Sequence, residues 1–302
     1  MVTRSRDFPI VGDSFNVGYR FQRYWDTPMA SAFFFGELGA GVFLVAAFMS
    51  HQSGMLAGLL LTCILKTYFH LSHMGVPTRS WRAIMRPDRS WISRGLLGIV
   101  FYGGFGFAYL ALTALGWADS LGIPAGLVVL TKWLAVAAAL VVATYQGFAM
   151  SHSTAIALWS SAVMPLSSLV YAITGGVFVN LVMGWSGVLV DDPATRHFLA
   201  NSALALCGVL AMVHLSLLHA AHHGSPGGQK SVELLTRTLY APWFYGVTIA
   251  LGLALPAGLL VVAGESLMAV AIAAAGMLAG YYSFRLLMFK AGVFEPIMSF
   301  RP

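Results

Sequence analysis

Titratable side chains lie inside long apolar segments of this sequence. Glu37 lies in the first segment, and Lys66 and His70 lie one helical turn apart in the second. His73 ends the second segment, at the water interface, where an imidazole can exchange protons with solvent. A charged group in a bilayer costs at least about 2.5 kcal/mol on insertion scales, so each one needs a reason. These residue types indicate proton transfer, or hydrogen bonding to a ligand, inside a membrane.

Glu37 has two interpretations. It lies in the run FGELGAG over residues 35–41, where the glycines allow a neighbouring helix or a planar ligand to approach closely. The carboxyl group either accepts protons or hydrogen bonds beside a ligand, or it is a neutral group that is hydrogen-bonded between helices. The sequence alone leaves both interpretations open.

A phenol and an imidazole are expected at the same membrane face. Tyr145 lies late in the fourth apolar segment, at the face where the second segment ends with His73. Such a pair can hold the two carbonyl oxygens of a quinone, with Glu37 or His73 moving protons. The alternatives are an interfacial tyrosine and an imidazole that merely reaches the water interface.

The histidines of the sixth segment could suggest a haem or a metal site. His214 and His219 precede His222 and His223, and we expect the last two in a loop beside Gly224, which is poor ligand geometry. The two cysteines are isolated in apolar segments without a CxxC partner, so we expect neither a disulfide nor a zinc site. The sequence therefore predicts no haem and no metal.

The composition requires membrane-spanning elements to position these residues. The chain has 302 residues, of which 58% are hydrophobic and 9% are charged, and its mean hydropathy is +0.78. Soluble domains carry about 25% charged residues, so this chain cannot cover itself with a hydrated surface. A soluble enzyme, a nucleic-acid-binding protein and a disordered protein are excluded.

Eight apolar segments predict an all-α integral membrane protein, a bundle of eight transmembrane helices. They cover roughly 30–50, 54–73, 95–117, 124–148, 154–183, 199–221, 241–263 and 267–289. Residues 1–29 form an N-terminal segment without the apolar core of a signal peptide, and 30–302 form the membrane domain. Pro165 predicts a kink or a strong tilt in the fifth helix.

The basic residues predict the orientation of the bundle. Fourteen Lys and Arg residues belong to one face, which carries both termini and the 74–94 connection, and only Lys132 and Arg196 belong to the other. Arg285 is included in the fourteen because we expect its side chain to reach the nearby interface. The positive-inside rule then places both termini and the 74–94 connection in the cytoplasm.

The most specific motif follows the second segment. It reads HMGVPTRSWRA over His73–Ala83 and SWISRG over Ser90–Gly95, and it resembles the His-Leu-Gly-x-Pro-x-Arg and Ser-Trp-x-Ser-Arg signature of the NrfD/DmsC family. These proteins are membrane anchors of polysulfide-reductase-like and dimethyl-sulfoxide-reductase-like complexes. Met74 replaces the usual Leu, and Gly95 stands where DmsC-type members often have Glu. Similar patterns are FGELGAG, Tyr145–Gly147, and Trp159 through Pro165 to Gly176. The resemblance covers the first five helices, and the last three match only in number.

The resemblance implies a quinone-reactive subunit that is not catalytic by itself, in a bacterial or archaeal cytoplasmic membrane. Quinone or quinol (menaquinone or ubiquinone) would bind near His73, Tyr145, Glu37 and His70. The implied partners are a four-cluster ferredoxin-like iron–sulfur subunit and a molybdenum or tungsten bis-pterin catalytic subunit. Arg and Trp are favoured at protein interfaces, so the expected docking residues are Arg79, Trp81, Arg82, Trp91 and Arg94. The alternatives are a b-haem cytochrome anchor and an ion-coupled transporter that uses Glu37 and Lys66.

Overall fold

The computed structural model describes residues 19–187, 192–264 and 266–295. Within these residues, eight helices are long and apolar enough to cross a membrane, which confirms the predicted all-α bundle. We label them α1 to α8 in chain order. They are α1 Thr27–Phe48, α2 Gln52–His73, α3 Trp91–Ala114, α4 Ala125–Ser151, α5 Val163–Trp185, α6 Pro193–Gly224, α7 Pro242–Ala263 and α8 Leu267–Lys290.

The fifth helix differs from its prediction. It begins at Val163, and residues 154–162 form turns before it. Pro165 therefore lies in the first turn of α5, where a missing backbone N–H costs nothing because that group has no intrahelical partner. The predicted kink at Pro165 is wrong for this reason.

Two membrane helices contain π-helical stretches, Leu61–Lys66 within α2 and Pro242–Ala254 within α7. π-helical turns are rare and occur often at functional sites. The stretch in α2 ends at Lys66, and the helix then continues in the α form to His73. Periodicity in the sequence gives no sign of either stretch.

Helix α1 is the centre of the bundle because glycines bring its neighbours into backbone contact. A Cβ atom at Gly41 would overlap the backbone of Ala172 in α5, and one at Gly39 would overlap Thr62 and the Gly58 carbonyl in α2. Small residues at such crossings drive helix association in membranes. The glycines around Glu37 therefore serve helix packing.

One end of the bundle, which we call the arginine-rich face, carries most of the extramembrane structure. Here α2, α4, α6 and α8 end, and a 3-10 helix, Pro77–Met85, follows α2. A surface helix, Pro226–Arg237, follows α6. Strands β1 (Arg20–Phe21) and β2 (Val293–Phe294) pair antiparallel and join the two ends of the described chain.

Helix α6 continues to Gly224, so His222 and His223 lie in its last turn. The loop predicted for these two residues is therefore wrong. The imidazole rings of His219 and His223 are neighbours, with centroids 4.5 Å apart. No group of three or more His, Cys, Asp or Glu residues in the described ranges has the arrangement of a metal site.

Candidate functional site

A buried ion pair joins the first and last membrane helices. Glu37 lies ten residues into α1, about 15 Å along the helix axis, which is near the middle of the apolar layer. Nη2 of Arg285 lies 2.8 Å from Oε2 of Glu37, and neither side chain is exposed. The hydroxyl of Tyr281 donates to the same carboxylate oxygen at 2.6 Å, and Arg285 also donates to Ser168 Oγ at 3.2 Å.

The expectation that Arg285 reaches the interface is wrong. Its side chain is buried, and its guanidinium lies 5.3–5.8 Å from the ring centres of Phe284, Tyr171 and Tyr281. Arg285 therefore does not belong to the face count that predicted the orientation, and thirteen basic residues remain in that count. The signal that could have revealed this pair was the presence of a cation, Arg285, in the eighth apolar segment and an anion, Glu37, in the first.

Gln146 connects this ion pair to Tyr145. The hydrogen bonds fit the amide orientation in which the Gln146 nitrogen donates to Glu37 Oε1 at 3.0 Å and to the Phe33 carbonyl at 2.9 Å. In this orientation the amide oxygen lies 3.3 Å from the Tyr145 hydroxyl and accepts a hydrogen bond from it. A hydrogen-bonded chain thus runs from Tyr145 through Gln146 to Glu37. Gln146 was not among the predicted site residues.

Tyr145 is buried, which contradicts the alternative of an interfacial tyrosine. Its ring packs against α3 at Gly95, where any Cβ atom would overlap the ring. The glycine at position 95 therefore leaves the space that the Tyr145 ring occupies. The ammonium group of Lys66 lies 5.8 Å from the centre of the same ring, so α2 also faces Tyr145.

Helix α2 contributes two inward groups. Lys66 is buried, and a Cβ atom at Gly36 of α1 would touch both its side chain and the Gln146 amide. His70 follows one turn later, and Phe69 beside it stacks on Phe35 of α1. Both ring nitrogens of His70 are shielded from solvent and have no hydrogen-bond partner among the described residues. Buried polar atoms without partners are rare and indicate a missing partner.

His73 is the last residue of α2 and pairs with Asp26. Its Nδ1 is 2.8 Å from Oδ1 of Asp26, the residue that caps the N-terminus of α1. The His73 side chain is 21% exposed, enough to meet water. Seven residues separate Lys66 from His73, about 10 Å along the helix axis. His73, His70 and Lys66 thus lie at increasing depth along α2, while Glu37 forms a separate cluster behind Gln146.

The predicted docking residues divide into two groups. Arg79, Trp81 and Arg82 are exposed on the 3-10 helix Pro77–Met85. Trp91 instead stacks on Phe148 at 4.3 Å. Arg94 lies over Trp91 at 4.4 Å and donates to the carbonyls of Pro87 and Asp88. Trp91 and Arg94 therefore hold the 74–94 connection in place.

His214 forms a second buried contact, on the side of the Glu37–Arg285 pair that carries Tyr281. Its Nε2 lies 2.9 Å from the hydroxyl of Tyr171, and its Nδ1 lies 2.6 Å from the Leu210 carbonyl. Tyr171 stacks on Tyr281 with ring centres 4.4 Å apart. Because both nitrogens of His214 are engaged, this histidine packs the core between α5 and α6.

Comparison with known proteins assigns the family. The family model described as "Polysulphide reductase, NrfD" matches residues 16–296. Comparison with curated proteins gave no significant match. The family match extends through the last three helices, which the sequence motifs had matched only in number, and so includes Tyr281 and Arg285. Eight apolar helices and this match together show that the chain belongs to the NrfD family of multi-pass membrane subunits of polysulphide-reductase-like redox complexes.

Proposed function

We propose that this subunit binds a quinone or quinol at the arginine-rich face and exchanges electrons between it and an iron–sulfur partner subunit. The site would lie between α1, α2 and α4, near Lys66, His70, His73 and Tyr145. The subunit would be non-catalytic by itself. The chemistry on the terminal substrate would belong to a molybdenum or tungsten bis-pterin subunit behind the iron–sulfur subunit.

The unpaired imidazole of His70 carries this proposal. Quinone carbonyl oxygens accept hydrogen bonds, so a quinone site needs buried donors that the protein itself does not satisfy. His70 meets that requirement because neither of its shielded nitrogens has a partner in the described ranges. Lys66 adds a buried cation one turn deeper, and Tyr145 adds a phenol beside it. These side chains offer hydrogen-bond donors of the kind that a quinone head group needs.

The residues of this chain would have separate roles at such a site. A quinone, when bound, supplies two-electron, two-proton redox chemistry. His70 and Lys66 would orient its oxygens by donating hydrogen bonds, and His73 would exchange protons with water. The Glu37 carboxylate is already engaged by the ion pair with Arg285 and by hydrogen bonds from Tyr281 and Gln146. We therefore propose that Glu37 does not contact the quinone itself and acts through the Gln146–Tyr145 chain.

The exposed residues Arg79, Trp81 and Arg82 would form the docking surface for the partner. They lie next to His73 in sequence and at the same face, so a cluster docked there would be near the proposed site. We propose that this face is cytoplasmic, because Arg and Lys residues concentrate on it. The membrane would be the cytoplasmic membrane of a bacterium or archaeon.

Haem ligation, one of the two alternatives, finds little support among the histidines of α6. Both nitrogens of His214 are engaged, and the other histidines of this helix are exposed near its two ends. A purified protein with a Soret band would support the haem alternative. The quinone proposal predicts none.

Binding of a fluorescent hydroxyquinoline N-oxide, a quinol analogue, tests the proposal on the purified chain. Fluorescence quenching should saturate at one analogue per chain in the wild type. We expect His70→Leu and Lys66→Met each to weaken binding at least about tenfold. Each substitution removes a buried donor of a hydrogen bond to the analogue, and in Lys66 that donor is charged. Lys132→Met is the control, because Lys132 lies at the opposite face and donates to Ser50. Equal affinity in all four proteins would overturn the proposal.

A further inference from the structure

Asp26 contacts two groups with one carboxylate oxygen. Oδ1 accepts the backbone N–H of Met29 at 3.2 Å, which caps α1, and it lies 2.8 Å from Nδ1 of His73 at the end of α2. Capping explains the first contact, since Asp is a preferred N-cap residue. It does not explain the second contact, which crosses from one helix to another.

The second contact fixes which nitrogen of His73 carries a proton. An ionised carboxylate only accepts hydrogen bonds, so Nδ1 is the protonated nitrogen. In the neutral ring, Nε2 is then the acceptor. Nε2 forms no hydrogen bond with a described residue, and the next inward histidine, His70, is also unpaired. The imidazole thus presents a free proton acceptor at the surface end of the proposed site.

We infer that Asp26 is a positioning residue that holds His73 in the tautomer whose Nε2 accepts the proton of a quinol hydroxyl. This inference rests on the proposed function and adds a group that neither composition nor motif singled out. In the forward direction both quinol O–H bonds break: Nε2 accepts one proton, releases it to water and then accepts the second, while the two electrons pass to the oxidised iron–sulfur partner. Each time Nε2 is protonated, Asp26 faces a charged imidazolium and stabilises it. In the reverse direction Nε2 takes two protons from water in turn and delivers them to the quinone oxygens.

This arrangement follows the logic of other carboxylate–imidazole pairs. A carboxylate behind a working imidazole fixes its tautomer and orientation and stabilises the positive charge that forms. Losing the outer carboxylate of a metal-bound histidine typically costs about 10–100-fold in activity, and we use the same range for His73. Because Asp26 begins α1 and His73 ends α2, the contact also fixes the two helix ends relative to each other.

The test uses substitutions that retain the cap and remove the contact. Ser and Thr are good N-cap residues, but their side chains are too short to reach Nδ1 of His73. Asp26→Asn retains an acceptor for Nδ1–H, because the Met29 N–H keeps the amide oxygen at the Oδ1 position, but it removes the charge that stabilises the imidazolium. Asp192→Ser is the matched control, because Asp192 caps α6 at the opposite face through Ala194 and Thr195.

Two readouts are measured for each protein: affinity for the hydroxyquinoline N-oxide analogue by the purified chain, and quinol-linked turnover by the complex. Asp26→Ser and Asp26→Thr should lower turnover about 10–100-fold and weaken analogue binding, while the thermal unfolding temperature stays near that of Asp192→Ser. Asp192→Ser should remain near wild type in both readouts. Asp26→Asn should bind the analogue like wild type, and its turnover should lie between those of wild type and Asp26→Ser, because it keeps the acceptor for Nδ1–H and loses the charge.

A double-mutant cycle separates positioning from structure. His73→Ala alone should lower turnover about 10²–10⁴-fold, and adding Asp26→Ser should lower it no further, because Asp26 acts only through His73. Full additivity, or wild-type values in Asp26→Ser and Asp26→Thr, would overturn the inference while the proposed function stands. Both the inference and the proposed function would be overturned if the wild type did not bind the analogue and His73→Ala left turnover unchanged.

Discussion

Glu37 of α1 and Arg285 of α8 form an ion pair in the interior of the membrane domain, with Nη2 and Oε2 2.8 Å apart and both side chains fully buried. The pair joins the first and last helices of the bundle. Its surroundings supply hydrogen bonds from Tyr281 and Gln146 to the carboxylate, as a buried charge requires.

Breaking this pair from one side should destabilise the protein strongly. Arg285→Met leaves the Glu37 carboxylate buried without its cation, which typically costs about 3–5 kcal/mol. We expect a lower thermal unfolding temperature and a lower yield of monodisperse protein in detergent, measured by fluorescence-detected size-exclusion chromatography after heating.

Removing both charges should restore much of what the single change loses. Glu37→Gln with Arg285→Met leaves no unpaired charge, and the amide oxygen that replaces the carboxylate can still accept from Tyr281. A double variant as unstable as Arg285→Met alone would contradict the view that the unpaired carboxylate causes the loss.

A side chain at position 95 should disturb Tyr145. Gly95→Ala places a methyl group where the Tyr145 ring lies, and overpacking of this kind costs about 1–3 kcal/mol. We expect weaker binding of the quinol analogue and slower quinol-linked turnover, because the Tyr145 phenol must move. Gly104→Ala is the control on the same helix, because nothing lies within 4 Å of its Cβ position. Equal effects of the two changes would contradict the prediction.

The helices could be predicted from the sequence because a bilayer admits few structures. Seven of the eight predicted segments agree with the structure to within a few residues at most ends, since apolar length alone defines a spanning helix. The fifth helix begins at Val163 rather than at 154, because the apolar run 154–162 folds into turns ahead of Pro165. Hydropathy cannot distinguish an apolar turn from an apolar helix.

The site was only partly predictable for a different reason. Glu37, His70, His73 and Tyr145 stand out as polar residues in apolar segments, but their partners depend on which helices pack together. Arg285 was assigned to the interface because its distance from the end of α8 allowed it. The packing of α8 against α1 instead buries it beside Glu37. Asp26 was placed in the N-terminal segment, and its contact with His73 depends on two helix ends meeting in space.

Charge reversal on the 3-10 helix should weaken partner docking. Arg79→Glu with Arg82→Glu replaces two exposed cations beside Trp81, and we expect less iron–sulfur subunit to co-purify with the affinity-tagged chain. The difference from wild type should shrink at higher salt, because salt screens exposed charges. Lys132→Glu, on the opposite face, should leave co-purification unchanged. Undiminished recovery of the partner with the double variant would exclude this surface.

The proposed orientation predicts the location of the C-terminus. A fluorescent protein fused after Pro302 should fluoresce, because the arginine-rich face is expected in the cytoplasm. An alkaline phosphatase fused at the same point should be inactive. The reverse result, an active phosphatase and a dark fluorescent fusion, would place the docking surface and its partners on the outer side of the membrane.

Electron exchange in the intact complex tests the central claim most directly. The complex is purified anaerobically, its iron–sulfur clusters are reduced with dithionite, and excess reductant is removed. Electron paramagnetic resonance then follows the clusters after addition of a quinone, and a parallel sample with oxidised clusters receives a quinol. The account predicts exchange in at least one direction, with His70→Leu and the hydroxyquinoline N-oxide each slowing it at least about tenfold. Clusters that respond to dithionite but exchange electrons with neither quinone nor quinol would contradict it.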